Sequence, residues 1–202
     1  MTNWTDFTGL ASAELFIALS VSLIVVKIAV PVRRIIVVIA VVLSLLPLET
    51  ISMAAYLRGV TGDFSVTTIL LMVLTLSDRL AIYTYKYQET EKIRSFATWA
   101  TMAFLLYPCA LGISSVDPYR WGFGSMYFLI SLVGLVLLAY FARLRLVVWS
   151  AVIATGAWTI GWYESNNLWD YLIDPWLSTF VILTLLYRTF CFSGFGRKLR
   201  KS

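Results

Sequence analysis

Apolar residues fall in long runs along this chain, and the polar residues collect in short breaks between them. A helix crosses the roughly 30 Å hydrocarbon core of a bilayer with about 20 mostly apolar residues, each rising about 1.5 Å. Seven segments meet that standard: about residues 10–30, 35–57, 64–85, 96–113, 125–142, 146–163 and 177–192. The pattern predicts an all-α, polytopic membrane bundle of about seven spans over residues 1–193, followed by a basic tail over residues 194–202. The first run follows MTNWTDFTG, which carries Asp6 and no basic residue, so it reads as a retained span rather than a cleaved leader. The breaks have turn chemistry, as in SSVDPYRWGFG with its proline and two glycines.

The basic residues fix an orientation, because short loops rich in lysine and arginine stay on the cytoplasmic side. With the N-terminus outside, the inner connections hold Arg33 and Arg34, then Lys86, Lys92 and Arg94, then Arg143 and Arg145, and last Arg197, Lys198, Arg200 and Lys201. The outer connections hold Arg58 and Arg120 alone. The expected placement is the inner (plasma) membrane, N-terminus outside and C-terminus cytoplasmic. Composition agrees: the 202 residues are 60% hydrophobic and 13% charged, with mean hydropathy +0.83, against about 25% charged in a soluble domain. The net charge of +5 lies between apolar segments rather than on a basic face, so nucleic acid is not an expected partner. Membrane lipids are, as are other membrane proteins of an envelope complex.

The chain contains no histidine. That removes the usual general base and the commonest metal ligand. The cysteines, Cys109 and Cys191, form neither a disulfide framework nor a CxxC pair. No metal or cofactor is expected. The seventh segment has no lysine for a retinal Schiff base, and GVTGD at residues 59–63 does not fit the GxGD of intramembrane aspartyl proteases.

Ionisable residues at membrane depth carry what remains, because a charge there costs about 2.5–3.5 kcal/mol on insertion scales and needs a partner or a wet cavity. Glu14 lies about one turn into the first segment, and Glu49 follows Pro47, whose missing N–H can bend the second. Each is either a ligand group or an interhelical tether. Arg58 and Arg120 add outer cations; Arg120, between Tyr119 and Trp121, suits an anionic head group or an interfacial anchor. Glu164 stands beside ESNNLWDYLIDPW, whose apolar spacing suits a short helix on the membrane surface, capped by Asn167 and stopped by Pro175. Asp6, Asp63, Asp170 and Asp174 read as boundary charges. On the inner side Asp78 is a coupling carboxylate or a buried partner of Lys27.

Three functions fit. The first is a small permease or lipid-handling carrier with an outward polar pocket built from Glu14, Glu49, Arg58, Arg120 and Glu164. The second is a non-catalytic membrane subunit of an envelope-biosynthesis or export complex. The third is a carboxylate-dependent lipid-modifying enzyme at the outer leaflet, with Glu49 as base; the residues lean away from an enzyme.

Overall fold

The computed structural model describes residues 4–48, 50–113 and 115–192. It is all-α apart from one two-residue strand pair. In chain order the helices are α1 (Trp4–Ile24), α2 (Val30–Leu45), α3 (Met53–Thr61), α4 (Val66–Arg79), α5 (Glu89–Ala110), α6 (Met126–Phe141), α7 (Arg145–Thr159), α8 (Leu168–Leu172) and α9 (Pro175–Phe192). Strands β1 (Pro47–Leu48) and β2 (Ile51–Ser52) pair antiparallel, and a 3₁₀ turn occupies Pro118–Gly122. Helix α1 is long and apolar enough to cross a membrane; the apolar stretches Met126–Phe141 and Pro175–Cys191 are shorter. The seven expected segments are all helical in part, but most of the helices end sooner than the hydrophobic runs do.

Two of the shortenings have a clear cause. The expected span over 35–57 divides because Pro47 cannot donate to the preceding turn and its ring disfavours a helical residue before it. Leu46 is accordingly extended (φ −66°, ψ 136°), and the chain forms the strand pair before α3 starts at the Ser52 cap. The expected span over 64–85 stops at Arg79, where two arginines of α2 take over the carbonyls a longer helix would bond internally. Arg33 Nη1 donates to the Arg79 carbonyl at 2.7 Å, and Arg34 donates to the carbonyls of Leu80 at 2.8 Å and Ala81 at 2.9 Å. Arg33 Nη2 also holds Val26 and Ile28 beyond the end of α1. Side-chain donors at a helix C-terminus satisfy carbonyls that otherwise need water.

Helix α1 packs against α2, α3 and α4, while α5 packs on α9 and α7, and α7 also meets α4, α6 and α8. The main core gathers Phe96, Trp99, Phe128, Leu132, Val147 and Val181, and a smaller cluster joins Ala18, Val37 and Leu80. Small polar residues are also buried: Ser22, Thr67 and Ser95 have no exposed area, while Ile24, Phe104 and Tyr127 are 81%, 76% and 85% exposed.

Helix α8 corrects the expectation of a float on the membrane surface. Leu168, Trp169, Tyr171 and Leu172 are buried, with the Trp169 ring 4.7 Å from that of Phe128. Its fixed points are polar. Asn167 accepts from Trp169 N at 3.0 Å and donates to the Tyr119 carbonyl at 2.9 Å; Tyr171 Oη accepts from Tyr163 N and donates to the Ser165 carbonyl. Five residues cannot hold a helix alone; tertiary burial holds this one. Pro175 is also not its stop but the first residue of α9.

Asn167 is fully buried and bonds on both sides of its amide. Asn167→Ala leaves a backbone donor and an acceptor unpaired and is expected to cost about 1–3 kcal/mol. Thermal unfolding of the purified chain in detergent should show the midpoint falling by several degrees; an unchanged midpoint would mean that α8 does not depend on this residue.

Candidate outward acidic cavity

Arg58, in the last turn of α3, is the best-held of the expected site residues. Its Nε donates to Asp63 Oδ1 at 2.7 Å and its Nη2 to Asp63 Oδ2 at 3.3 Å, while Nη1 reaches Asp6 Oδ1 at 3.1 Å. This fork geometry matches a carboxylate in two places. The hydrogen bond with Asp63 holds the guanidinium charged well above its ordinary range, and Asp6 adds to it. The pair needs space, and Gly9 of α1 provides it: a Cβ there would lie 2.1 Å from Arg58 Nε and 2.5 Å from Asp63 Oδ1. Arg58 and Asp63 thus join the α3–α4 turn to the start of α1.

The other expected site residues disperse. Glu14 accepts from Ser44 Oγ through both oxygens, at 3.0 and 2.7 Å, which makes it a tether between α1 and α2. Glu49 lies outside the described residues. Arg120 is exposed in the 3₁₀ turn and has no ion pair among the described residues. Glu164 is exposed and accepts from Thr5 Oγ1 at 3.3 Å. Asp78 and Lys27 are both exposed, and no ion pair joins them. Both side chains are exposed, so each charge can be solvated without the other. Asp78 instead lines a second cavity, of about 610 Å³, with Arg33, Arg79 and Lys92.

At the expected outer end a cavity of about 420 Å³ opens between the α3–α4 turn, α5, the 3₁₀ turn and the α8–α9 junction. Its polar lining is Asp63, Asp170, Asp174, Tyr107 and Tyr119; Leu106 and Ile173 supply apolar wall. Asp170 accepts from Tyr119 Oη at 3.1 and 3.0 Å and from Ser165 Oγ. Asp174 is buried at 5% exposure and accepts from Ser65 N and Leu177 N, both at 2.7 Å, and from Thr68 Oγ1. It therefore sits at the N-terminal ends of α4 and α9, where two helix dipoles favour a negative charge. Three carboxylates face this space; Asp63 is paired with Arg58, and among the described residues no cationic side chain lines the cavity beside Asp170 and Asp174. Among the described residues no group of three or more acidic or cysteine side chains is arranged to hold a metal ion.

Sequence reading missed these acids by treating Asp63, Asp170 and Asp174 as boundary charges. A local signal existed for one of them: Asp174-Pro175 is a capping residue followed by proline at the first helical position. The convergence of residues 63, 107, 119, 170 and 174 is a tertiary fact, and no spacing in the sequence encodes it.

Two measurements check this geometry. Gly9→Ala should displace the Arg58 guanidinium and lower the thermal midpoint, whereas in an Arg58→Ala background it should be neutral or raise it, since alanine is favoured over glycine by about 1 kcal/mol in a helix; equal effects in both backgrounds would separate Gly9 from the ion pair. Tyr119 provides the second. Burial, reinforced by the charge of Asp170, pushes its phenol up to about 12 from the ordinary value near 10. Because the folded value is the higher one, folding favours the neutral phenol; that stabilisation is complete below pH about 10 and is lost as pH rises through about 12. The absorbance difference between the wild type and Tyr119→Phe on alkaline titration should rise near 12, and a rise near 10 would contradict the buried contact.

Compared with protein families, curated proteins and solved structures, the chain matches none of them.

Proposed function

We propose that the chain is a seven-span protein of the inner (plasma) membrane, N-terminus outside, working as a small permease or lipid-handling carrier whose outward cavity takes an ammonium group. The outer cavity carries this reading: Asp170, Asp174 and two tyrosines line about 420 Å³ together with Asp63, whose charge is met by Arg58, and among the described residues no cationic side chain lines it. A small organic ammonium matches both parts of the wall, since carboxylates attract its charge and tyrosine rings attract it through their faces. The volume lies in the range of small-molecule sites.

Membrane placement is supported by the distribution of residues. Serines and threonines are buried while large aliphatic and aromatic side chains cover much of the surface, the reverse of what water as solvent favours. Most of the arginines and lysines fall on the connections assigned to the cytoplasm, with Arg58 and Arg120 on the outer ones. Helices such as α6, with 16 residues and so about 24 Å of length, are short for a bilayer core of about 30 Å. Local thinning and flanking residues absorb such a mismatch at fractions of a kcal/mol per Å.

The alternative is a non-catalytic subunit of an envelope-biosynthesis or export complex. One observation favours it: the carboxylates of Asp170 and Asp174 already have several donors each. For an outer-leaflet enzyme, Glu14 is bonded to Ser44, and the base named for it, Glu49, lies outside the described residues.

Uptake of labelled ethanolamine, choline and putrescine by proteoliposomes separates these readings. The carrier is expected to accumulate at least one of them, and Asp170→Asn to slow its initial rate by about tenfold, the equivalent of about 1.4 kcal/mol, with normal reconstitution. No accumulation of any of the three by the wild type would reject the carrier reading.

A further inference from the structure

The opposite end of the fold holds a larger cleft with a different lining. About 940 Å³ opens between the start of α5 and the α6–α7 turn, and Glu91, Arg94, Arg143, Arg145, Tyr140 and Trp149 are the side chains that give it character. Glu91 is 7% exposed, and its Oε2 accepts from Arg145 Nη2 at 3.4 Å. Its Oε1 is buried without a hydrogen-bond partner among the described residues. A buried carboxylate oxygen in that state calls for a donor. Arg145 is shared between Glu91 and the Tyr85 ring, 5.9 Å from its guanidinium. Arg94 and Arg143 are exposed and have no ion pair among the described residues.

Arg143 stands where glycine is the low-cost residue. Its φ is +59°, in the left-handed region, at the turn that ends α6 through Arg143 N to Tyr140 O and Leu144 N to Ala139 O. Helix ends of this type are usually closed by glycine or asparagine, because a Cβ is disfavoured there. Ala81 closes α4 in the same conformation, at φ +50°, so the backbone there does not select the side chain; what distinguishes Arg143 is that its guanidinium lines the cleft.

We propose that this cleft binds the head of a phospholipid that carries a hydrogen-bond donor beyond its phosphate. Arg94 and Arg143 take the phosphate oxygens, which planar guanidinium groups recognise bidentately. Glu91 Oε1 accepts from the ammonium or hydroxyl of the head group. Tyr140 and Trp149 flank the glycerol and the first acyl carbons, as aromatic residues do at membrane interfaces. Two arginines beyond the Glu91–Arg145 pair leave the lining positive, which suits a phosphate. The site rests on the membrane placement proposed above but not on cation uptake through the outer cavity.

The test uses the full chain in detergent with short-chain phosphatidylethanolamine, phosphatidylglycerol, phosphatidylcholine and inorganic phosphate as probes, binding being read by native mass spectrometry and by displacement. Phosphatidylethanolamine and phosphatidylglycerol are expected to bind about tenfold more tightly than phosphatidylcholine, whose trimethylammonium has no donor for Glu91. The double variant Arg94→Gln, Arg143→Gly is expected to weaken lipid binding by about tenfold or more. Glycine suits the backbone at 143, so its thermal midpoint should be unchanged or higher. Equal binding of phosphatidylcholine, full displacement by inorganic phosphate at the same concentration, or wild-type affinity in the double variant would each overturn the proposal. Loss of lipid binding with amine uptake intact would leave the carrier reading standing, and the reverse result would leave this site standing.

Discussion

The carboxylate of Asp174 holds together the end of the fold where α4 and α9 begin. It is buried, and among the described residues no cation pairs with it; its partners are Ser65 N, Leu177 N and the Thr68 hydroxyl. Burying a carboxylate costs several kcal/mol. Hydrogen bonds to a charged group return about 1.5–3 kcal/mol each, and the two helix N-termini add favourable dipoles. Three such bonds are of the same order as the burial cost. One side chain thereby sets the start of α4 against the start of α9, and the α8–α9 junction has to follow. With that junction in place Asp170 comes within reach of Tyr119, and Ile173 closes the wall of the outer cavity.

The two ends of the bundle solve related problems with opposite charges. At one end, carboxylates meet helix N-termini and one arginine around the acidic cavity. At the other, Arg33 and Arg34 meet the C-terminal carbonyls of α4, and Arg94 and Arg143 remain free of ion pairs among the described residues. Basic side chains near the C-terminal ends of α4 and α6 agree with the sign of the helix dipole.

The sequence made the helices legible because hydrophobic runs of the right length are a local property. Their ends were less so. Pro47 announced a bend, yet the full interruption by a strand pair depends on Leu46 turning extended and on Ser52 starting a new helix. The end of α4 at Arg79 was invisible, since it depends on arginines far earlier in the chain. Among candidate site residues, Arg58 proved well held by Asp6 and Asp63 and Glu14 proved a tether, whereas Asp174 looked like a boundary charge until its partners were known. Helix α8 shows the same limit: LWDYL has an amphipathic spacing that fits a membrane surface equally well, and only the bonds of Asn167 and Tyr171 bury it. Periodicity tells which face is apolar but not what covers it.

Membrane placement with the acidic cavity outside is the claim on which both proposed sites stand. Single cysteines answer it directly. In a background with Cys109 and Cys191 replaced by serine, Asn166→Cys marks the outer end and Thr90→Cys the inner cleft. Intact cells are then treated with a membrane-impermeant maleimide, before and after permeabilisation. The account predicts that the cysteine at 166 is labelled in intact cells and that the one at 90 is labelled only after permeabilisation. Labelling of position 90 in intact cells, or of neither position until the membrane is opened, would contradict it.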